Sequence, residues 1–428
     1  MKTKLVVFGI TGDLAHKKLL PALRQIMKIQ ALEDIELIGV SRHEIDIQKI
    51  VGEVLAPIAK SYTLDVANPE DFVRFKKYLK LKSDDQLVVY LSVPPLAATQ
   101  IADGLGMAEL NSRNVKILFE KPFGVEYESA REMVKRTSRY FDEDQIYRID
   151  HYLAKEMAQN IVAFRSGNAM LRHIWSRQSI ERIEILALEE IGVKGRAHFY
   201  EQVGALRDLV QGHLIQLLAL ILMDTPSRLD WNQLPRLRQQ ALARLLPADP
   251  KRTVRAQYIS YRDEVDNPIS NVETFVATEL YSDSSTWEDV PLRLITGKAL
   301  DRKVTEINVY FRASNVEQSN CLRFKIQPDE GVEIDLYTKK PGYDREFEMQ
   351  KLLFKYPDET ALPKAYEQVI VDAVRSRKSL FTGSDEILES WRVLQPLLDA
   401  WAENDASIQT YEVGASYKDI IDNKNKID

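Results

Sequence analysis

The chain has 428 residues, enough for two or three domains at the usual ~100–200 residues per domain. Its 58 lysines and arginines against 64 aspartates and glutamates give a net charge of −6, so we expect no nucleic-acid partner. The single cysteine, Cys321, excludes an intramolecular disulfide and a cluster of thiolate ligands, which favours a reducing compartment.

Membrane association is not expected from the sequence. The most apolar segment, Leu214 to Met223, is far shorter than the ~20 residues that span a bilayer. The apolar run at the N-terminus is too short for a signal peptide, and no cleavage site follows it. We therefore expect a cytoplasmic protein.

The first third of the chain alternates strand and helix patterns. Continuous apolar runs are typical of parallel strands buried on both faces, and helical patterns separate them. The runs are KLVVFGI, IELIGV, QLVVYLSV and VKILFE. They predict a doubly wound, Rossmann-type α/β domain over residues 1–150, in which Pro21 should kink or restart the first helix.

From about residue 182 the pattern changes to strict alternation of apolar and polar residues. LRFKIQ, residues 322–327, and VEIDLY, residues 332–337, predict a hairpin with one solvated face. Similar runs are VRAQYISY, ETFVATELY, VPLRLITG and VTEINVYFRA. Residues 151–428 are therefore predicted to form an α+β domain with a large, mainly antiparallel sheet covered by helices.

Two glycines, Gly9 and Gly12, lie where the first strand gives way to the first helix, in VVFGITGDLAHKK. Glycine allows a tight turn and lets backbone N–H groups reach the pyrophosphate of a dinucleotide at the positive end of the helix. We assign Thr11, Asp13 and Leu14 of this turn to coenzyme binding as well. Turns also need glycine for structural reasons, and the position in an alternating series favours the functional interpretation.

The second strand ends in Ser41 and Arg42, in IGVSRHE, where an NAD site commonly has Asp or Glu for the ribose 2′-hydroxyl. Arginine suits a 2′-phosphate. We predict NADP as the coenzyme, with NAD as a weaker alternative. On this observation alone, Arg42 could equally be a solvated loop residue.

The segment QIYRIDHYLAKEM, residues 145–157, concentrates ionisable side chains. If it starts a helix, His151 and Lys155 project from one face and could hold a phosphate dianion, with the Tyr152 hydroxyl as a third donor. The alternative for an isolated segment is an ordinary surface ion network that includes Glu156.

A lone histidine, His213, lies among apolar residues in DLVQGHLIQLLAL. Burial there would disfavour the imidazolium and keep a neutral base available. A histidine in such a helix is more often a core residue whose hydrogen bonds are satisfied.

Three segments, GITGDLAHKKLLPAL, FEKPFG and RIDHYLAKEMAQNI, together resemble the glucose-6-phosphate dehydrogenase family. The similarity continues through YEQVGALRDLVQGHLIQLLALILMD, VRAQY, ETFVA, TGKAL and AYEQVIVDAVRSRKSLFTGSDEILESWR, and so covers nearly the whole chain. It implies a dehydrogenase of the pentose phosphate pathway. Such an enzyme oxidises glucose 6-phosphate at C1 to the 6-phosphogluconolactone with NADP and needs no metal.

The resemblance also implies roles for individual residues. It identifies His213 as the general base and Asp150 as the carboxylate that orients the imidazole ring. It gives Lys121 contacts to both sugar and coenzyme, and implies a cis bond before Pro122. His151, Tyr152 and Lys155 would bind the 6-phosphate. The other residues assigned to sugar or coenzyme are Lys18, Pro94, Glu189, Asp208, Lys298 and Lys303.

Asp208 and His213 are five residues apart, about 140° around an ideal α-helix. We therefore expect that they are not stacked neighbours, and that Asp208 reaches the site from the helix start.

Some residues depart from the family pattern. Ala154, Gly212 and Ile295 flank functional positions, which leaves the sugar specificity open, and His16 could weaken phosphate contacts of the coenzyme. The chain is short for the family, so we expect only the catalytic coenzyme site. The family also implies a homodimer or a dimer of dimers, for which the open face of the sheet is available.

Two other functions remain open. Sugar oxidoreductases of the GFO/IDH/MocA type also combine a dinucleotide domain, an EKP motif and an antiparallel sheet, but lack the RIDHYL cluster. A catalytically silent NADP-binding regulator could keep the fold, although it would have no chemical need for Asp150, His151, Lys155 and His213 together.

Overall fold

The structure is a computed structural model that describes residues 2–226, 228–313, 319–357, 360–403 and 408–424. The chain forms two compact units. Unit 1 comprises Met1–Glu156, Asp230–Arg236 and Leu362–Leu388, and unit 2 comprises Met157–Leu229, Leu237–Ala361 and Glu389–Asp428.

Unit 1 contains a sheet of seven strands in the order β15-β6-β5-β4-β1-β2-β3. The first six strands in the chain pair in parallel, and only β15 is antiparallel to its neighbour. Their bounds are β1 Thr3–Phe8, β2 Ile35–Ser41, β3 Ala59–Thr63, β4 Gln86–Leu91, β5 Val115–Phe119, β6 Ile146–Ile149 and β15 Phe381–Thr382. The predicted parallel α/β sheet is confirmed, and its four predicted strands are buried along almost their whole length, as strands covered on both faces must be.

Helices connect these strands. In unit 1 they are α1 Leu20–Lys28, α2 Ile47–Val51, α3 Pro69–Leu79, α4 Pro95–Met107, α5 Tyr127–Thr137, α12 Ala365–Val374 and the start of α13 Ser384–Glu403. The predicted effect of Pro21 is confirmed: a π-helical turn, Ala15–Leu19, comes first, and the regular helix starts again at Leu20.

Unit 2 contains a sheet of nine strands in the order β14-β13-β12-β11-β7-β10-β9-β8-β16. Six of its eight strand pairs are antiparallel, and the pairs β7–β10 and β8–β16 are parallel. The bounds are β7 Ile180–Leu188, β8 Thr253–Tyr258, β9 Phe275–Leu280, β10 Leu292–Gly297, β11 Val304–Phe311, β12 Cys321–Gln327, β13 Gly331–Lys339, β14 Phe347–Lys355 and β16 Gln409–Tyr411. The predicted hairpin of β12 and β13 is confirmed, and in β12 Leu322, Phe324 and Ile326 are buried.

The helices of unit 2 include one long helical segment, Ala197–Leu222. It comprises α8 Ala197–Ala205, a π-helical stretch Leu206–Leu214 and α9 Ile215–Leu222. By length and composition alone it could cross a membrane, but 89% of its most apolar window is buried inside the protein, as a core helix requires. The other helices are α6 Glu156–Gly167, α7 Ala169–Arg172, α10 Leu234–Ala243, α11 Tyr261–Glu264 and α14 Tyr417–Lys424.

The conditional prediction that residues 145–157 start a helix is wrong. Ile146–Ile149 forms strand β6, the residues after Asp150 form turns, and α6 begins only at Glu156. The apolar residues Ile149, Leu153 and Met157 have helical spacing, but pairing of β6 with β5 takes the first of them into the sheet.

Residues 362–388 belong to the compact unit of the N-terminal sheet. Strand β15 pairs with β6, and Val369 and Ile370 of α12 lie in the same apolar core as the first helices. The predicted division into 1–150 and 151–428 therefore differs from the compact units over this segment, and as a statement about domains it stays a prediction.

The core of unit 1 should depend on Phe381, whose ring meets that of Tyr147 edge to face with 4.8 Å between centroids. Replacing it, Phe381→Ala, should cost about 3–5 kcal/mol of stability, because a fully buried ring leaves a cavity. Thermal unfolding measures the loss, and hydrogen exchange should locate it in β5 and β6. Phe199→Ala, at a 38% exposed ring of unit 2, is the control. Equal losses of stability in Phe381→Ala and Phe199→Ala would contradict the role of Phe381 in the core of unit 1.

Candidate active site

The turn after β1 is shaped for close approach of a ligand to the backbone. Gly9 has a φ of +76°, and a Cβ there would lie 2.2 Å from the carbonyl oxygen of Ser92, so no other residue fits. The Gly12 N–H donates to the Gly9 oxygen at 2.9 Å and so closes the turn in front of the first helix. A side chain at Gly9 would fill the space inside this turn. Without one, the geometry of the turn fits the pyrophosphate of a dinucleotide.

The other predicted coenzyme residues lie along the carboxyl edge of the same sheet. Thr11, Lys18 and Pro94 are exposed, and Leu14 is partly buried. Asp13 is also exposed and pairs with Lys17 at 2.7 Å; a hydrogen bond from Lys17 lowers the pKa of its carboxyl.

Ser41 and Arg42 lie at and just beyond the end of β2. The Ser41 hydroxyl donates to the backbone oxygen of His43 at 2.6 Å, which folds the loop back. Arg42 is exposed and makes no ion pair within the described part of the chain, so its guanidinium is available to a ligand.

Lys121 and Asp150 meet because β5 and β6 are neighbouring parallel strands. Phe119 is opposite Arg148 in the register, and each site residue follows two positions later. The Lys121 ammonium lies 3.3 Å from a carboxylate oxygen of Asp150, which is fully buried. The backbone N–H of Tyr152 donates to the other oxygen at 2.9 Å. The implied cis bond between Lys121 and Pro122 is confirmed.

The predicted phosphate residues follow directly and lie together on turns, not on a helix. The rings of His151 and Tyr152 meet with 5.0 Å between centroids, and the Lys155 ammonium lies 4.7 Å from the centre of the Tyr152 ring. His151 also stacks on Tyr366 at 6.4 Å. Two potential cations therefore lie close to one aromatic ring, and the three side chains offer several donors to a dianion.

Sequence reasoning did not identify Glu120, the residue before Lys121. Its carboxylate accepts hydrogen bonds from the hydroxyls of Tyr90 and Tyr366. Burial raises the pKa of Glu120 to about 7, against the lowering effect of these donors and of Lys121, while the charge of Asp150 adds to the increase. A charged residue that ends the buried run VKILFE was the available signal.

In unit 2, Glu189 and Lys298 form an ion pair just beyond the ends of β7 and β10, which are parallel neighbours. Lys298 is 7% exposed, and its ammonium lies 5.1 Å from the centre of the Tyr200 ring. Lys303 does not join this cluster: it is exposed before β11 and makes no hydrogen bond or ion pair in the ranges that the structure describes.

His213 and Asp208 lie on the π-helical stretch Leu206–Leu214. His213 is 6% exposed, so the predicted burial of the imidazole is confirmed, whereas Asp208 is partly buried. The expectation that the two residues are not stacked neighbours assumed α-helical geometry, whereas this stretch is π-helical, with hydrogen bonds from residue i to i+5. The angle of about 140° therefore does not apply here, and the relative placement of the two side chains stays a prediction.

A family model described as "Glucose-6-phosphate dehydrogenase, NAD binding domain" matches residues 6–160, and one described as "Glucose-6-phosphate dehydrogenase, C-terminal domain" matches residues 162–423. The chain belongs to the glucose-6-phosphate dehydrogenase family. The match over residues 6–160 supports a nicotinamide coenzyme for this chain.

Individual members of the family are similar over almost their full length. Glucose-6-phosphate 1-dehydrogenase of Dickeya dadantii is 34% identical, with 96% of this chain and 93% of the relative covered. A solved structure of a glucose-6-phosphate dehydrogenase in complex with glucose 6-phosphate superposes with a TM-score of 0.91, at 27% identity, 97% coverage of this chain and 95% of that one. The enzyme from Mycobacterium avium gives a TM-score of 0.86 at 31% identity, with 97% and 94% covered.

A more distant neighbour is a super-repressor mutant of Gal80p from Saccharomyces cerevisiae, with a TM-score of 0.61 at 11% identity and coverage of 96% of this chain and all of that one. This likeness shows a shared fold and nothing about function.

Stability should depend on pH through Glu120. Its pKa is about 7 in the folded chain and ordinarily 4.5, so the fold favours the protonated acid. The resulting contribution to stability is complete below pH 4.5 and is lost as the pH rises through about 7. The side chain of Glu120→Gln cannot ionise. The thermal midpoint of this variant should therefore rise relative to that of the wild type as the pH increases from 5 to 8.5.

The control for this experiment is Glu109→Gln, since Glu109 has a side chain that is 84% exposed. Its ion pair with Lys76 lowers the pKa of Glu109, so this carboxyl stays ionised between pH 5 and pH 8.5, and the thermal midpoint of Glu109→Gln should change with pH over that range as the wild type does. If Glu120→Gln also ran parallel to the wild type, the interpretation of the buried carboxyl would be wrong.

Proposed function

We propose that this chain oxidises D-glucose 6-phosphate at C1 to 6-phospho-D-glucono-1,5-lactone, with hydride transfer to NADP⁺. The observation that carries the proposal is the match to both family models over nearly the whole chain, together with the His151, Tyr152 and Lys155 cluster. The cluster offers donors to a phosphate, which a dehydrogenase of free sugars does not need.

In this proposal His213 takes the proton from the C1 hydroxyl. Its burial disfavours the imidazolium before turnover, and Asp150 serves as the carboxylate that orients the ring and stabilises its charged form. The nicotinamide, when bound, accepts the hydride from C1. Lys121 holds Asp150 through their ion pair and adds positive charge at the carboxyl edge, where a sugar hydroxyl can bind.

The remaining sugar hydroxyls would be bound by residues of unit 2. Glu189 and Asp208 offer carboxylate acceptors, and Lys298 keeps Glu189 in place through its ion pair. Lys303, which is exposed just before β11, would bind the substrate through the ammonium group at the end of its side chain.

For the coenzyme we propose NADP over NAD. The glycine turn and Lys18 would hold the pyrophosphate end, and Ser41 and Arg42 at the end of β2 would hold the 2′-phosphate. Arg42 supports this choice because the strand end offers an exposed cation where an NAD site needs an acceptor.

We also propose that the protein is a cytoplasmic homodimer or dimer of dimers. Strand β14 is at the edge of its sheet and exposes Met349, Leu353 and Phe354, which are 42%, 53% and 48% exposed. A long, apolar edge strand favours pairing with another copy.

A spectrophotometric assay with two sugars and two coenzymes tests the proposal. We expect reduction of NADP⁺ with glucose 6-phosphate, weaker reduction of NAD⁺, and a loss of at least about 10²-fold in kcat/KM with unphosphorylated glucose, because a charge-assisted contact is removed. Lys155→Ala should raise KM for the sugar phosphate and leave KM for NADP⁺ unchanged, with Lys194→Ala as the control.

Equal rates with glucose and glucose 6-phosphate would favour a GFO/IDH/MocA-type oxidoreductase. Coenzyme binding without reduction on any sugar phosphate would favour a silent regulator.

A further inference from the structure

The helix that carries Asp208 and His213 has its own start. Gly204, with φ +68° and ψ 174°, breaks the helical conformation at the end of α8, and helical geometry resumes at Ala205. The first N–H groups of a new helical stretch have no partner within it and must be satisfied from elsewhere. The side chain of Ala205, the residue at the cap position, cannot accept a hydrogen bond.

A residue distant in sequence supplies both acceptors. The Ala205 N–H donates to the backbone oxygen of Glu273 at 3.0 Å, and the Leu206 N–H donates to its carboxylate Oε1 at 2.9 Å. Glu273 is 5% exposed and immediately precedes Thr274 and β9. A buried carboxylate at a helix N-terminus is further stabilised by the helix dipole. The charges of Arg207 and Arg255 also favour its ionised form, although burial raises its pKa overall.

The close approach of Glu273 requires glycine at position 204. A Cβ on Gly204 would lie 2.4 Å from the carboxylate oxygen Oε1 that receives the Leu206 N–H. The glycine therefore serves both the backbone turn and the contact with Glu273. The start of this helix and the Glu273 carboxylate therefore pack together only because position 204 is glycine.

The next residue, Thr274, connects the same place to Lys298. The Lys298 N–H donates to the Thr274 backbone oxygen at 3.0 Å, and the Tyr411 hydroxyl lies 2.9 Å from Thr274 Oγ1 and 2.7 Å from the Lys298 oxygen. Residues 273 and 274 thus hold the start of the His213 helix and the backbone of Lys298 together.

We propose that Glu273 is a positioning residue, whose carboxylate fixes the first turn of the Leu206–Leu214 helix and thereby the orientation of Asp208 and His213. The inference rests on the proposed function, because only a catalytic role of Asp208 and His213 requires that this helix hold them in one orientation. Small misplacements of a reacting group are enough to reduce turnover about 10²-fold.

Three substitutions at this position separate positioning from simple stability. Glu273→Ala removes the acceptor, Glu273→Asp shortens the side chain, and Glu273→Gln keeps an oxygen that can accept the Leu206 N–H. We expect kcat for glucose 6-phosphate oxidation, per folded molecule, to fall about 10- to 100-fold in the Ala and Asp variants. The Gln variant should stay within about threefold of the wild type, and KM for NADP⁺ should be unchanged in all three.

Asp372→Asn, at a 2% exposed carboxyl of α12 in unit 1, is the matched control for loss of a buried acid, and it should keep the wild-type kcat. Thermal unfolding gives the folded fraction of each variant. If Glu273→Ala does not fold, the contrast between the Asp and Gln variants decides. Wild-type activity with equal kcat in all folded variants would overturn the positioning role alone, whereas a wild type inactive on glucose 6-phosphate would refute the proposed function itself.

Discussion

A carboxylate that water cannot reach must find its hydrogen-bond donors inside the protein, and Asp150 imposes this constraint on unit 1. Burying an uncompensated carboxylate costs several kcal/mol, so the fold has to bring a cation and an N–H group to it. The cation is Lys121 at 3.3 Å, and the N–H belongs to Tyr152 at 2.9 Å. The contact with Lys121 depends on the parallel pairing of β5 and β6, which places two motifs distant in sequence at one edge of the sheet, whereas the Tyr152 N–H is supplied by the turn that follows Asp150.

Unit 2 also contains buried polar groups that need hydrogen-bond partners inside the protein, and here they are backbone N–H groups at the start of a helix. A helix that begins inside the protein leaves N–H groups to be satisfied, and a buried glutamate beside a glycine provides the acceptors. The helix then continues with π-helical turns. Such turns are frequent at functional sites, and this stretch carries both Asp208 and the buried imidazole of His213. Each unit thus holds its functional side chains through contacts of its own, between residues distant in sequence.

The sequence predicts the fold classes well because periodicity reports burial. The continuous apolar runs of β1, β2, β4 and β5 and the alternation in β12 each reflect which faces of a strand are covered. It fails at RIDHYL, where Ile149, Leu153 and Met157 imitate a helix although the first belongs to a short strand. Four residues of strand carry too little periodicity to compete with a longer helical pattern.

The features of the site that the sequence does not predict are those that depend on distant partners. Nothing local marks Glu120 as the acceptor for Tyr90 and Tyr366, or the return of residues 362–388 to unit 1. A π-helical stretch is equally hidden, because the extra residue per turn changes the side-chain period only over a short length. The candidate residues could be identified from the resemblance to a known family. Their contacts, such as the ion pair of Lys121 and Asp150, are visible only in the structure.

The proposed mechanism treats Asp150 and His213 as one catalytic unit, and a double-mutant cycle of Asp150→Asn and His213→Asn tests this proposal directly. His213→Asn should lower kcat for glucose 6-phosphate about 10²–10⁴-fold, and adding Asp150→Asn should change it by no more than about threefold, because in the proposal the carboxylate acts only through the imidazole ring. His198→Asn, at an exposed histidine, should have no effect. Near-normal turnover in His213→Asn, or losses that multiply in the double variant, would contradict the account.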